Sequence, residues 1–576
     1  MWSRQRAPHT TVAAADVAPH TRGGSETGPP TEGAIGHEVP RRCAGYGRCS
    51  PRDDVRIASA LFAVTLACGS PADEDDPGAP GGGQTDAAPG GSADAGSDEF
   101  VEPAFEPDGF QGFGVQLYES LYDPAFVPQS TVDPASPALR DAMVAVEPGH
   151  VRIFVQNEAA VRPDTPEGAA AKESFSRVID LAQAAGASVN VTWPGGYTGT
   201  GADFARLQME GLAALLHEEV YERGHTAIRY VTIQNEGNTA NPDHVCPGQK
   251  TGTYICRVDM NTAYRTLDAL MRAQDPPLRG PDAPHLIRFI GGDLVYGRGE
   301  GDNDNGYQSW MTWMDQNMDD ILDGWSIHVY WFYWNQWVTS DSSPLTGSGV
   351  TLIKQAMAHR NALGGKPLYI MEAGVRGRPD RVTKDFPGFY QRDCTVNQAG
   401  CTAMEDTIES SIDQAYFDVT AARLGYRAVT KWEATRRGDR TWGILGAPWN
   451  DWPRKPSWYL RDMWNAAVEP GWKAFAAATS APPYTVAAGF RPADRSDTSV
   501  LLVNGSTSAR DVEVRQLPAG ASFKVWSWNQ PGRAGQVCYR AGKTASSAGT
   551  LTVTLQPRNA VVLTTRSQNA GFPPCP

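Results

Sequence analysis

Tyr-Val-Thr-Ile-Gln-Asn-Glu-Gly-Asn (Tyr230 to Asn238) and Pro-Leu-Tyr-Ile-Met-Glu-Ala-Gly (Pro367 to Gly374) are built alike. Each is a short apolar run rich in Val, Ile or Tyr that ends in a glutamate, with small or polar residues directly after it. A strand of a parallel sheet is covered on both faces and reads as such a run. Its carboxyl end is where an acidic side chain can leave the core. The two stretches therefore predict a parallel sheet that carries Glu236 and Glu372 along one edge.

Outward from these stretches the same texture repeats. Strand-like runs occur at Gly112–Leu117, His150–Val155, Ser188–Trp193, Tyr230–Gln234, Arg288–Leu294, Gly324–Tyr330, Pro367–Met371 and Ala428–Trp432. Stretches with helical spacing separate them: Ala169–Ala185, Phe204–Arg223, Asp259–Gln274, Gln308–Leu322, Val350–Leu363 and Glu405–Leu424, with a short Ser136–Val146 before and Ser457–Ala467 after. Strand alternating with helix implies parallel pairing. Eight such units over residues 105–470 predict an α/β fold, a closed (β/α)8 TIM barrel. Counting along it places Asn235-Glu236 after the fourth strand and Glu372 after the seventh. Glu433 reads as a salt-bridge partner, the second Asn-Glu pair, Asn157-Glu158, as a loop or subsite, and Asp293 as a loop-ordering or substrate contact.

Beyond about Gly471 short alternating runs replace the helices, from Tyr484–Gly489 to Ala560–Thr565, with turn residues between them. Residues 471–576 are expected to form a small antiparallel β-sandwich. The amino-terminal part is not expected to join either fold. Residues 1–68 form a polar leader followed by Val55–Cys68, a basic residue, a short apolar core and Ala-Cys. That segment is too short for a bilayer-spanning helix and suits an export signal. It resembles a bacterial lipoprotein signal with Cys68 as the lipidated residue; ordinary secretion is the alternative. Residues 69–104, rich in Gly, Pro, Ala and Asp, read as a flexible tether.

Six of the nine cysteines lie beyond the signal, in local couples: Cys246 with Cys256, Cys394 with Cys401, and Cys538 with Cys575. An even number in loop-like surroundings fits disulfides in an oxidising compartment. A zinc site is the rival, but no Cys-x-x-Cys or paired-His spacing supports it. The net charge of −14 and the lack of basic clusters argue against a nucleic-acid partner.

The order of the motifs is similar to that of clan A glycoside hydrolases, which are retaining enzymes on a (β/α)8 barrel with Asn-Glu after strand four and Glu after strand seven. The likeness extends to Arg152 near strand two, to His328 and Tyr330 on strand six, and to Trp432 on strand eight, which resemble residues of the cellulase-like family five. The stretch Thr192 to Gly196 lacks the His usual near strand three there, and a carboxyl-terminal β domain is commoner in neighbouring families. The resemblance implies a β-linked glycan as substrate and no cofactor or metal. Glu372 would be the nucleophile, its pKa lowered by Arg152, and Tyr330 would bond the same carboxylate. Glu236 would be the acid/base, with Asn235 on the sugar 2-hydroxyl. Two carboxyl groups about 5–5.5 Å apart are what double displacement needs.

Sugar rings stack on aromatic faces. Trp193, Trp331, Trp334, Trp337, Trp442, Trp449 and Trp452 are placed by their sequence context in loops above the barrel. Trp193, Trp331 and Trp432 are the candidates for sugar contact. Three other functions share these features: a transglycosylase using the same glutamates, a catalytically silent surface lipoprotein that binds glycans, and an adhesion or structural lipoprotein whose working part is the β-sandwich.

Overall fold

The structure, a computed structural model, describes residues 109–122, 137–155, 157–193, 202–239, 257–295, 306–332, 348–376, 407–435, 443–446, 452–475, 477, 484–567 and 571–576. The expected leader, signal and tether lie outside them, as do Cys68, Cys246, Cys256, Cys394, Cys401, Trp334, Trp337, Trp442 and Trp449. Among the described residues no helix is long and apolar enough to cross a membrane.

Eight strands form a closed parallel barrel in chain order: β1 (Gly112–Leu117), β2 (His150–Phe154), β3 (Ser188–Trp193), β4 (Ile228–Ile233), β5 (Arg288–Val295), β6 (Gly324–Phe332), β7 (Leu368–Arg376) and β8 (Ala428–Lys431). β8 closes on β1 with Gly112 opposite Ala428. The expected strands are all present. β7, however, continues through Glu372 to Arg376, so this glutamate lies within its strand rather than after it.

The helices around the barrel are α1 (Pro137–Val146), α2 (Asn157–Val161), α3 (Pro166–Ala184), α4 (Ala202–His217), α5 (Arg257–Ala273), α6 (Tyr307–Met318), α7 (Ser348–Ala362), α8 (Ile408–Arg423) and α9 (Pro456–Ala467). Asn157-Glu158, expected in a loop, opens α2 instead. α3 starts where its chemistry says it should: the Thr165 hydroxyl accepts from Gly168 N, and Pro166 and Glu167 fill the first turn. α5 buries Met260, Ala263, Tyr264, Leu267 and Met271, one stripe at helical spacing. Burying each of the larger ones contributes about 1.5–3 kcal/mol. The Tyr264 hydroxyl accepts from Ile233 N at 2.8 Å and donates to Ile290 O at 2.5 Å, which ties α5 to β4 and β5.

Within the barrel, side chains alternate between the interior and the helical layer. The lower interior holds the rings of His150, Tyr230 and Tyr369, with centroids 5.6–6.5 Å apart. Above them Asn190 bonds Thr232. The top layer is polar.

Two bulges set that top layer. On β7 the pairing with β6 shifts between Ile327↔Ile370 and His328↔Glu372, so Met371 is an extra residue. Ile370 faces the helices and Met371 the interior. Strict alternation would then send Glu372 outward; the bulge returns it to the interior. On β5 the register shifts between Gly291 and Leu294. Gly292 takes φ +104, open to glycine and strained for other residues, and Asp293 turns inward.

A second module follows. β9 (Lys473–Phe475), β10 (Thr485–Arg491), β11 (Ser499–Asn504), β13 (Ser522–Gln530), β14 (Arg533–Thr544) and β16 (Asn559–Thr564) form one sheet, and β12 (Arg510–Val514) pairs with β15 (Leu551–Leu555). The sheet has two apolar faces. Leu501 and Val503 on β11 join the barrel's own core, whereas Val500 and Leu502 pack with Val512, Val553 and Leu555 of the two-stranded pair. Polar contacts follow the first face: Trp528 Nε1 donates to Pro456 O, Ser499 Oγ to Ala467 O and Arg566 Nη1 to Ala466 O. Cys538 on β14 is disulfide-bonded to Cys575.

Candidate active site

The top of the barrel gathers Gln116 from β1, Arg152 from β2, Thr192 from β3, Asn235 and Glu236 just past β4, Asp293 from β5, Ser326, His328 and Tyr330 from β6, and Glu372 from β7. These side chains follow from position: Ser326, His328 and Tyr330 are two residues apart on one strand and share a face. Past β4 the chain folds over the barrel mouth, with Gln234 at φ 80 and Glu236 at φ 52. Glu236 N donates to Asp293 O at 3.0 Å, which fixes the turn to β5.

Arg152 is fully buried, and each of its five N–H groups has an acceptor. Nε donates to Thr192 Oγ1 at 3.0 Å. Nη1 donates to Gln116 Oε1 at 2.6 Å and Glu372 Oε1 at 2.5 Å. Nη2 donates to Asn235 Oδ1 at 2.8 Å and Asp293 Oδ2 at 2.5 Å. Its guanidinium carbon sits 4.4 Å from the centroid of the Phe154 ring. A planar fork with five donors suits this convergence, and a lysine could not reproduce it. The Tyr330 hydroxyl donates to the other oxygen of Glu372.

Glu236 and Glu372 meet across His328. One oxygen of each carboxylate and one ring nitrogen all lie within 4.8 Å of one another. His328 Nδ1 is 3.1 Å from Glu236 Oε1 and 3.4 Å from Glu372 Oε2. Among the described residues this is the one group that could gather a metal ion.

The charges are strongly perturbed. Burial opposes the charge on His328, but Glu372 and Asp293 outweigh it and push the imidazole up to about 9. Burial likewise opposes the Arg152 charge, and Asp293 and Glu372 more than offset it, leaving its pKa above the ordinary value. Burial would raise Asp293, yet Arg152 and His328 hold it well below the usual carboxylate range. For Glu372 burial is the largest influence; His328 and Arg152 pull down, Glu236 pushes up, and the net direction is up. The expected lowering by Arg152 is therefore present and is outweighed by desolvation.

Trp432 follows β8 and is half-buried, edge-on to Tyr118 at 5.9 Å and Phe154 at 6.3 Å between ring centroids. These three rings wall one side of the mouth. Trp193 and Trp331 do not join them. Thr192 and Tyr330 point inward, so each following tryptophan points to the helices. Trp193 is fully buried in the core. Trp331 stacks on Phe417 of α8 at 4.3 Å and donates from Nε1 to Asp413 at 2.8 Å. Trp452 is also a core residue. Reading the sequence for strand ends alone missed Gln116, Thr192, Ser326, Tyr118 and Phe154. Strand parity finds Ser326, two residues from His328, and Phe154, two residues from Arg152.

No family model matches the sequence, and no curated protein matches it. Solved structures do match in fold. A GH30 endoxylanase from Clostridium papyrosolvens C71 superposes with a TM-score of 0.52 at 12% identity, over 80% of this chain and 97% of that one. An α-L-arabinofuranosidase from Thermotoga maritima gives 0.51 at 13%, over 80% and 97%. The catalytic domain of GH30 xylanase C from Talaromyces cellulolyticus gives 0.51 at 12%, over 81% and 98%. The match spans the barrel and the β module together, which makes the architecture that of these clan A structures.

Proposed function

We propose that this chain is a retaining glycoside hydrolase that cleaves β-glycosidic bonds in a polysaccharide or oligosaccharide. The observation that carries the reading is that one carboxylate oxygen of Glu236, just past β4, and one of Glu372, in β7, lie within 4.8 Å of each other at the top of the barrel. An inverting pair stands about 6.5–9.5 Å apart to admit a water, and a retaining pair about 5–5.5 Å.

In this mechanism Glu372 attacks the anomeric carbon while Glu236 protonates the departing oxygen, and a glycosyl ester forms on Glu372. Water, deprotonated by Glu236, then displaces the sugar from the ester. Arg152 and Tyr330 fix both oxygens of the nucleophile, so its attack angle is set before substrate arrives. The Asn235 carbonyl is held by Arg152, and its NH2 group is our candidate for the sugar 2-hydroxyl. Trp432, Tyr118 and Phe154 offer apolar surface to the ring. We place the protein outside the cytoplasm, anchored through Cys68; the export-like segment and the Cys538–Cys575 disulfide support that location.

A panel of aryl β-glycosides and aryl α-L-arabinofuranosides tests the reading. Wild type is expected to turn over a β-glycoside with retained anomeric configuration, read by proton NMR of the first product. Glu236→Gln should lose about 10²–10⁴-fold in kcat, and Glu372→Gln should abolish turnover while keeping sugar affinity. Inverted product, or turnover untouched by both substitutions, would refute the assignment; sugar binding without turnover in wild type would favour a silent glycan-binding protein.

A further inference from the structure

Asp293 touches neither catalytic carboxylate, yet it reaches both through others. It is fully buried at the β5 bulge, and Ser326 holds it from two sides. The Ser326 hydroxyl donates to Asp293 Oδ1 at 2.5 Å and accepts from Asp293 N at 2.8 Å. Oδ2 takes Arg152 Nη2, whose other nitrogen binds Glu372. Oδ1 lies 3.6 Å from His328 Nε2, an ion-pair distance rather than a hydrogen bond. The backbone carbonyl of the same residue accepts from Glu236 N.

The proton positions on His328 follow from its surroundings. Nδ1 faces two carboxylates, Glu236 from the β4 turn and Glu372 from β7. Among the described residues Nε2 is buried with no hydrogen-bond partner, and the carboxylate of Asp293 from β5 faces it. A bare lone pair on Nδ1 would face the charge of Glu372 and one on Nε2 the charge of Asp293, and either would be repelled. Arg152 from β2, the cation of this cluster among the described residues, is itself neutralised by Asp293 and Glu372.

We infer that Asp293 is the positioning residue of this centre: it holds Arg152 on Glu372 with one oxygen and, with the other, keeps His328 an imidazolium whose Nδ1–H lies between the two glutamates. This rests on the glycosidase reading above. In the first step the proton of Glu236 goes to the leaving oxygen and Glu372 becomes an ester. The negative charge therefore leaves Glu372 and appears on Glu236. An N–H fixed between the two carboxylates balances either state without reorganising. Asp293 sets that balance from outside the reacting atoms.

The substitution Asp293→Asn keeps the size and removes the charge. The His328 ring signal can be followed by NMR titration in the resting protein, assigned among the ten histidines by its loss in His328→Gln. Its midpoint is expected to fall by about one pH unit or more in Asp293→Asn. On an aryl glycoside that wild type hydrolyses, kcat is expected to fall about 100-fold through misplaced Arg152 and His328, with KM changed less than about threefold. The alkaline limb of kcat/KM should move down with the NMR midpoint. An unchanged midpoint with unchanged kcat overturns the inference and leaves the glycosidase standing. If wild type hydrolyses no glycoside, the glycosidase reading fails, and the titration still decides whether Asp293 holds the imidazolium. Should Asp293→Asn not fold, Ser326→Ala removes the group that fixes Asp293 and carries the same expectation in smaller size.

Discussion

Tyr330 and Trp331 are neighbours with opposite destinations, and the residue that receives Trp331 has a measurable cost. Asp413 is buried on α8 with its carboxyl pushed up to about 7, because burial outweighs the hydrogen bond from Trp331. The folded state thus binds a proton that the unfolded state releases from 3.8 upward. Stability from this group is present at low pH and is lost as pH rises through about 7. Asp413→Asn keeps an acceptor for Trp331 and removes the charge. The variant-minus-wild-type difference in stability, from calorimetry across pH, should be small at pH 4 and favour the variant by on the order of 4 kcal/mol at pH 8. A flat difference would show that Asp413 stays neutral or wet throughout. At this scale the apolar runs that end in them singled out Glu236 and Glu372, the family resemblance singled out Arg152, His328 and Tyr330, and the structure brings the five together. The sequence misled at Trp193 and Trp331 because an aromatic residue beside a site invites a binding role, while the two-residue period of a strand assigns it to the other face.

Elements explain what the period alone does not. Glu372 follows Met371, an interior residue, so alternation predicts the wrong face for it; the β7 bulge reverses that, and no local propensity in the run announces it. The β5 bulge is more legible, since Gly291-Gly292 in a strand marks a break in pairing. A Cβ on Gly292 would stand 2.8 Å from Leu294 Cγ and 3.2 Å from Met314 Cε, at φ +104. Gly364 also has positive φ, at +92, but has open space around it. Both Gly292→Ala and Gly364→Ala should lower the melting temperature through strain of about 1–3 kcal/mol. Only Gly292→Ala should also lower kcat, because Asp293 is its direct neighbour; equal kcat values for the two variants would detach the bulge from the chemistry. Strand β14 escaped the sequence reading for a different reason. Only three of its twelve residues, Val537, Cys538 and Gly535, are buried, so no apolar run marks it, and its strand state comes from pairing with β13 after the Pro531-Gly532 turn.

For the molecule as a whole, the barrel and the sheet share one apolar core. α8 is buried along nearly its entire length because β10 and β11 cover the side that the barrel does not. Its first turn is also pinned by the Arg558–Glu409 ion pair. A chain ending at residue 470 would leave uncovered the side of α8 that β10 and β11 pack against and the end of α9 that Ser499 and Arg566 bond. It is expected to be insoluble, or to bind a hydrophobic dye strongly, whereas the longer chain does neither. A soluble, cooperatively melting fragment would mean that the barrel closes its own surface. The sequence announced a change of texture near Gly471 but not this seam, because an all-round apolar helix reads alike whether helices or a sheet cover it.

That seam bears on any attempt to recombine this protein with others of its architecture. The natural crossover for exchanging carboxyl-terminal modules is not the texture change at 471. A chimaera joined there would ask a foreign sheet to fit a surface shaped by α8 and α9. Because Trp331, next to Tyr330 on β6, is seated on α8, a poor fit would reach the strand that steadies Glu372. Grafts that carry Thr407 onward as one block would transplant both halves of the joint.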